Sequence, residues 1–455
     1  MNTIIQKIQN GYKKYCTTPI SVLNNYSPED VGRAMIENGK QRQPFYIFSL
    51  DAAHNRIQHF RKLMPRIKIF YAMKSNDTEM MLKFAISQGL GFDCASPAEI
   101  YKLRQLNVNP KSILYAMPIK TPEQMVYARE TGVKYTTFDS AYELKKLKEY
   151  WPDARLLIRI RVDSDSLIKL SDKFGCDFES EAINLLEAAA DLGLKVVGVS
   201  FQVGSVCKSV DSYITALRQA RVLFDHEAIA GRSMKIVDIG DGFLSDRSEN
   251  IDHLSELINA ALEDLFPDPD IQVIAEPGAY ISDSAFTLYC SISNVRRVKK
   301  NGRAVNMIYI NDGIYGTMRY SVPWQKITKF KKSTEKDMGE LEDAILWGPS
   351  CDSTDQIVMD STIQLPRCMP LEWLIIENHG SYTITFATRF STLEIPLVRS
   401  VISTELWHAI KDNVVFSSPD FVVQADMSTP LPMTLPPQLQ RNKIHEHTHI
   451  PTLKI

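Results

Sequence analysis

The chain reads as an α/β protein, a (β/α)8 TIM-like barrel joined to a second, mainly β, sandwich-like domain. Three observations predict this. Between about residues 66 and 280, eight short apolar runs alternate with amphipathic, helix-like stretches. Past about residue 285, the pattern becomes β-rich runs cut by Gly, Pro and Asp. The length of 455 residues suffices for two domains with sizeable cores.

In chain order, residues 1–43 are expected to be an N-terminal extension. Residues 44–65 supply a strand and connection associated with the β domain. The barrel is expected over 66–284, with strand runs at Ile67–Met73, Gly91–Ala95, Ser112–Ala116, Tyr135–Phe138, Arg155–Val162, Val196–Val203, Lys235–Ile239 and Gln272–Ala275. Between them, helical stretches include Glu79–Gln88, Glu123–Glu130, Tyr142–Tyr150, Glu181–Asp191, Val210–Ala228 and Asp252–Leu265. Eight such repeats suit a closed barrel, and an open doubly wound sheet is the alternative that pattern alone leaves standing. The β domain is expected over 285–411, with runs at Ala285–Ile292, Val305–Ile310, Ala344–Trp347, Trp373–Glu377 and Tyr382–Phe386. Residues 412–455, rich in Pro, Ser and Thr, read as a flexible tail.

The net charge of −2 gives no global reason to expect nucleic acid or a membrane surface as partner. Two basic runs, Arg296–Lys300 and Lys326–Lys332, sit among turn residues and read as solvated surface. No apolar stretch is long enough for a membrane helix, and the N-terminus lacks signal-peptide texture. Seven scattered cysteines without a CxxC pair favour reduced thiols and a cytoplasmic location. The tail segment His445-Glu446-His447-Thr448-His449 lacks the supporting fold of a zinc site, so no metal is expected.

The chemistry gathers at the predicted C-terminal strand ends, where barrels of this kind place their sites. Lys74, in Phe70-Tyr71-Ala72-Met73-Lys74, follows the first run, and Asp93 ends the second. Arg159 lies on the fifth run, and Gln202 and Ser205 end the sixth. The turn Gly240-Asp241-Gly242 follows the seventh, and Glu276-Pro277-Gly278-Ala279 ends the eighth. A lysine at a strand end can hold an aldehyde, a buried acid can pair with a pyridine nitrogen, and glycine turns offer N–H groups to a phosphate. The set suggests pyridoxal 5'-phosphate. Lys74 alone would read as a partly buried lysine paired with Asp93 or Glu99.

These residues resemble the eukaryotic ornithine decarboxylase family, including its non-catalytic relatives, the antizyme inhibitors. The likeness runs from about 44 to 400, through the segments above and through Gly91-Phe92-Asp93-Cys94-Ala95-Ser96, Lys173-Phe174-Gly175, Asn311-Asp312-Gly313-Ile314-Tyr315-Gly316 and Trp347-Gly348-Pro349-Ser350-Cys351-Asp352. The resemblance implies a dimer with sites shared across the interface. It makes Lys74 the cofactor lysine and Glu276 the pyridine partner. Asp93, Glu99 and Arg159 would line the mouth, with Gly240, Gly242, Gly278, Ser205 and Tyr382 toward the phosphate. Cys351 would match the cysteine that returns a proton after decarboxylation, and Asp352 the carboxylate for the substrate amine. Lys173 and Asp355 would match an inter-subunit ion pair.

Four positions depart from the family pattern. Gln202 replaces a histidine that stacks on the cofactor, Asp241 the middle glycine of the turn, and Ala279 an arginine that clamps the phosphate. Trp324 falls where an aspartate serves the distal end of the substrate. A lost charge-assisted phosphate contact costs about 1.5–3 kcal/mol. A carboxylate about 4 Å from the phosphate adds repulsion on the order of 4 kcal/mol at an effective dielectric near 20. Even half the sum weakens binding roughly a hundredfold.

The resemblance thus leaves three functions open. One is a regulator like the antizyme inhibitors, binding antizyme through the segment from Lys120 to Lys148, where Lys120, Leu144 and Lys146 are kept. The second is an active pyridoxal-phosphate decarboxylase acting on ornithine or a related amino acid. The third is a regulatory subunit paired with a catalytic ornithine decarboxylase paralogue.

Overall fold

The computed structural model describes residues 18–164, 171–204, 210–243, 251–300, 302–320, 325–333, 339–359 and 361–423. The chain enters through β1 (Ile20–Leu23), the helix Pro28–Glu37 and β2 (Phe45–Ser49). A capping box at Ser27 and a proline in the first turn start that helix, satisfying N–H groups that lack partners within it.

Eight strands follow: β3 (Ile67–Ala72), β4 (Gly91–Cys94), β5 (Ile113–Tyr115), β6 (Tyr135–Phe138), β7 (Arg155–Ile160), β8 (Lys195–Phe201), β9 (Ile236–Asp238) and β10 (Gln272–Ala275). All pair in parallel with their neighbours, and β10 closes onto β3 with Val273 opposite Ile67 and Ala275 opposite Ile69. The barrel is therefore closed, and the open-sheet alternative falls. Its interior holds Leu114, Leu157, Val197 and Ile274, with Phe70, Tyr135 and Ile236 against them. Tyr71, Phe92 and Ile158 join the larger core cluster. The helices that follow β4, β5 and β6 begin at Ser96, Thr121 and Ser140, whose hydroxyls each accept the N–H three residues on.

The second domain is mostly sheet: β11 (Phe286–Lys300), β12 (Arg303–Ile310), β13 (Ile327–Lys329), β14 (Leu341–Trp347), β15 (Ile363–Pro366), β16 (Trp373–Ile376), β17 (Leu397–Ser403) and β18 (Phe421–Val423). The strand order is β15-β14-β12-β11-β2-β17-β1-β18, with β16 on β11 and β13 on β16. The first part of β11 lies between β2 and β16, and past an irregularity at Ile292/Asn294 it runs beside β12. One strand thus links two regions of sheet.

Three expectations change. The segment taken as an N-terminal extension supplies β1, which sits between β17 and β18. Residues 412–423, taken as part of the tail, belong to the folded domain, because Phe421 packs on Trp407 and Phe416 and pairs with Ile20. Tyr382–Phe386 forms no strand: Tyr382 has φ +55°, which breaks an extended run. The basic run from Lys326 is partly paired, through Lys326 to Glu377 and Lys329 to Glu372. The tail histidines lie outside the described residues, and among the described ones no helix is long and apolar enough to cross a membrane.

Candidate active site at the barrel mouth

Lys74 emerges from the turn just past β3, where Ser75 N–H bonds the Ala72 carbonyl at 3.1 Å. Its Nζ lies 2.5 Å from Oδ2 of Asp93, which is 1% exposed at the end of β4. Desolvation pushes the ammonium down, but Asp93 and Glu276 outweigh it and hold Lys74 well above the usual lysine range. Arg159, on β7, is lowered by burial and lies 5.3 Å from the centre of the Phe174 ring.

Glu276, immediately past β10, is fully buried. Burial first, then the charges of Asp238 and Asp93, lift its carboxyl well above the ordinary range. Its Oε2 accepts from the Gln202 amide, and its Oε1 has no partner. Asp238, a member of the site that the sequence did not assign, ends β9. It accepts from Ser200 at 2.7 Å and from Gly240 N–H at 3.0 Å, and burial raises it to about 6. Its place in the same Asp-Ile-Gly-Asp-Gly motif was the available signal. Glu99 accepts from Ala95 N–H at 2.5 Å and is raised by burial to about 7.

The glycine turn follows. Gly240 and Gly242 have φ of +67° and +125°, which glycine tolerates best. A Cβ at Gly240 would lie 2.5 Å from Cδ of Gln202, and one at Gly242 would lie 2.6 Å from the Tyr213 hydroxyl. Between them stands Asp241. Its N–H donates to Oε1 of Gln202 at 3.0 Å, and its own Oδ1 is buried without a partner. Burial lifts its carboxyl to about 6. Gly278 and Ala279 open the short helix Gly278–Ser282, and a Cβ on Gly278 would meet Ser75 Oγ at 2.8 Å. Tyr382 N–H bonds the Ser75 carbonyl at 2.8 Å, and its phenol is raised by burial while feeling the charges of Lys74, Asp241, Asp93 and Glu276.

Lys74, Asp93, Arg159, Gln202, Gly240, Asp241, Glu276 and Tyr382 thus share one mouth. Ser205 and Trp324 lie outside the described residues. Cys351 is exposed on the sheet domain beyond β14. Asp352 beside it accepts from Tyr315 at 2.5 Å and Thr354 N–H at 2.8 Å, and these bonds hold it below the ordinary carboxylate range. Asp355 is 1% exposed and accepts from Ile314 N–H, Ser350 N–H and the Ser350 hydroxyl within its own subunit. Lys173 lies 4.9 Å from the centre of the Phe174 ring.

A metal-like group among the described residues, Glu187, His226 and Glu227, lies elsewhere. There the Arg232 guanidinium already bonds both carboxylates, at 2.7 and 2.6 Å.

A parallel barrel with a strand-end lysine facing a buried acid, joined to a sheet domain, is the architecture of a pyridoxal-dependent decarboxylase. The family profile for the pyridoxal binding domain of pyridoxal-dependent decarboxylases matches residues 50–283, and that for their C-terminal sheet domain matches 202–380. Drosophila melanogaster ornithine decarboxylase 2 is 35% identical over 362 residues, covering 78% of this chain and 91% of that protein. Antizyme inhibitor 2 of Xenopus laevis is 35% identical over 391 residues, covering 83% and 85%. The crystal structure of the Paramecium bursaria Chlorella virus arginine decarboxylase bound to agmatine aligns with a TM-score of 0.76 at 30% identity, over 82% of this chain and all of that one. The chain belongs to the ornithine decarboxylase family of pyridoxal-dependent decarboxylases, whose cofactor is pyridoxal 5'-phosphate.

The residues can be tested against that group. Lys74 suits its aldehyde, and the unpartnered Oε1 of Glu276 suits its ring nitrogen. The phosphate end carries groups of another kind. It presents the Asp241 carboxylate, an alanine at 279, and a turn N–H already bonded to Gln202.

Proposed function

We propose that this chain is a regulatory member of the ornithine decarboxylase family, acting in polyamine metabolism with weakened cofactor binding and little ornithine decarboxylation. The observation that carries the reading is Asp241, an acid with a buried, unpartnered oxygen at the centre of the phosphate turn. A second anion brought beside it would be repelled in a site of low dielectric. No arginine stands at 279 to offset that charge.

The activity proposed is of the antizyme-inhibitor kind, with antizyme as partner and release of active ornithine decarboxylase as outcome. Support comes from the likeness to antizyme inhibitor 2. The 120–148 segment narrows where contact would occur. Lys120 and Leu144 are buried, so of the three kept positions only Lys146, 31% exposed, reaches the surface. A homodimer, or a heterodimer with a catalytic paralogue, belongs to the same reading. In the latter, Cys351 and Asp352 would be contributed in trans. A cytoplasmic setting agrees with the free cysteines among the described residues.

The second reading, an active decarboxylase for ornithine or a related amino acid, draws on the intact Lys74–Asp93 pair and the buried Glu276. In it, Glu276 would hold the ring nitrogen of the cofactor, which would supply an electron sink, and Cys351 would return the proton. The absorbance spectrum with and without added pyridoxal phosphate separates the two. The regulatory reading expects no band near about 420 nm, a property of the lysine-bound cofactor, and no carbon dioxide from ornithine. A stable band with turnover would establish the second reading instead.

A further inference from the structure

Gln202 stands one residue past β8, and its amide spans the ends of the next two strands. Its Nε2 donates to Oε2 of Glu276, past β10, and its Oε1 accepts from the N–H of Asp241, past β9. Glu276 N–H in turn bonds the Gly240 carbonyl at 2.7 Å, so amide, acid and turn form a closed ring of contacts. The ring needs a glycine at 240, where a Cβ would lie 2.5 Å from the Gln202 amide carbon. Tyr213 steadies the far side of the turn, its hydroxyl donating to the Asp241 carbonyl at 3.0 Å.

The two groups that Gln202 engages are those a pyridoxal phosphate would use: the acid for the ring nitrogen and a turn N–H for the phosphate. One amide supplies a donor to the first and an acceptor to the second, which an apolar side chain of equal volume cannot do. Space-filling alone would not place both ends of the amide on partners. The oxygens that stay unpartnered nearby, on Asp93, Asp241 and Glu276, are the ones this amide does not reach.

We infer that Gln202 is an internal strut that stands in for the cofactor, tying the ends of β8, β9 and β10 together with the protein's own side chain. It is a positioning residue. The inference rests on the proposal that the phosphate end is closed to pyridoxal phosphate, and adds what occupies the cofactor's hydrogen-bonding positions instead. A ligand that binds only the native state raises its stability. In this chain that contribution is built in, so thermal stability is independent of the cofactor.

The test is thermal unfolding of the full chain, with and without pyridoxal phosphate, in the wild type, Gln202→Met, Glu276→Met and the double variant. Methionine keeps the volume and removes both hydrogen bonds. The strut expects a wild-type Tm unmoved by the cofactor and a Gln202→Met Tm lower by about 2–6 °C. It also expects the two single losses to sum to more than the loss in the double variant, as coupled partners do. Should Gln202→Met fail to fold, Gln202→Asn, which shortens the bridge, takes its place in the cycle. A Tm within 1 °C of wild type for the Gln202 variant, or losses that simply add, would overturn the strut. Uptake of pyridoxal phosphate by the wild type, seen as a band near about 420 nm, defeats the reading on which the strut rests. A chain that takes up none and shows no coupling defeats the strut alone.

Discussion

Asp241 concentrates the chemistry of this protein in one carboxylate. Burial lifts it to about 6, above the ordinary 3.8. The native state then holds that proton more tightly than the unfolded chain does. Stability from this site falls as pH rises from about 4 to 6, and the cost stays in full above that range. Asp241→Asn should therefore raise the Tm by about 2–5 °C at pH 8 and hardly at all at pH 4, as followed by thermal unfolding. Changing Asp241 to Gly and Ala279 to Arg together should bring in pyridoxal phosphate, read from the absorbance band. Ornithine turnover should remain below that of a family enzyme while Gln202 and Trp324 persist. Lys74, Asp93 and Glu276 were legible because each ends an apolar run that pattern identifies as a strand. The bridge made by Gln202 was not, because its partners lie 39 and 74 residues away.

At the scale of elements, local signals carried the barrel. The runs at Tyr135–Phe138 and Gln272–Ala275 are the strands β6 and β10 residue for residue. Serine and threonine caps place the helix starts because side-chain oxygens there satisfy N–H groups that the helix leaves open. β1, β17 and β18 were missed, since their pairings join residues near 20, 400 and 421, and short apolar runs do not announce distant partners. Gly198 shows an element-level constraint of the same origin: a Cβ there would run into the backbone carbonyl of Ile236 on β9. Gly198→Ala should cost about 1–3 kcal/mol or more, measured as a lower urea midpoint. An unchanged midpoint would mean that β8 and β9 are less tightly joined than described.

Across the whole molecule, the sheet domain is assembled from both ends of the described chain, with the barrel's sequence inserted between β2 and β11. This arrangement explains why the N-terminal segment and residues 412–423 are structural. It also bears on how a partner surface can be tested. Lys120 is a buried ion: its Nζ bonds Glu143 at 2.8 Å and the carbonyls of Met117 and Thr137, and burial lowers it to about 8. Removing one member of such a pair typically costs about 3–5 kcal/mol. Lys120→Ala should therefore lower the Tm and appear to abolish antizyme binding through unfolding. Lys146 also meets Glu143, at 2.6 Å, but from the surface, so Lys146→Ala is the cleaner probe. It should weaken antizyme capture, measured by pull-down, while the chain stays folded by circular dichroism. Capture equal to wild type would remove Lys146 from the contact.

The sequence by itself determined the eight strand–helix repeats, the family, the strand-end lysine and acid, and the four substitutions around them, while closure of the barrel waited on the pairing of β10 with β3. These follow from periodicity and from motifs confined to a few consecutive residues. Only the tertiary structure decided what the substitutions do together. It set Gln202 between Glu276 and the Asp241 N–H, buried Asp241 without a partner for one oxygen, and turned Lys120 inward. Burial, partner and pKa depend on which distant strand ends converge, and no local pattern encodes that.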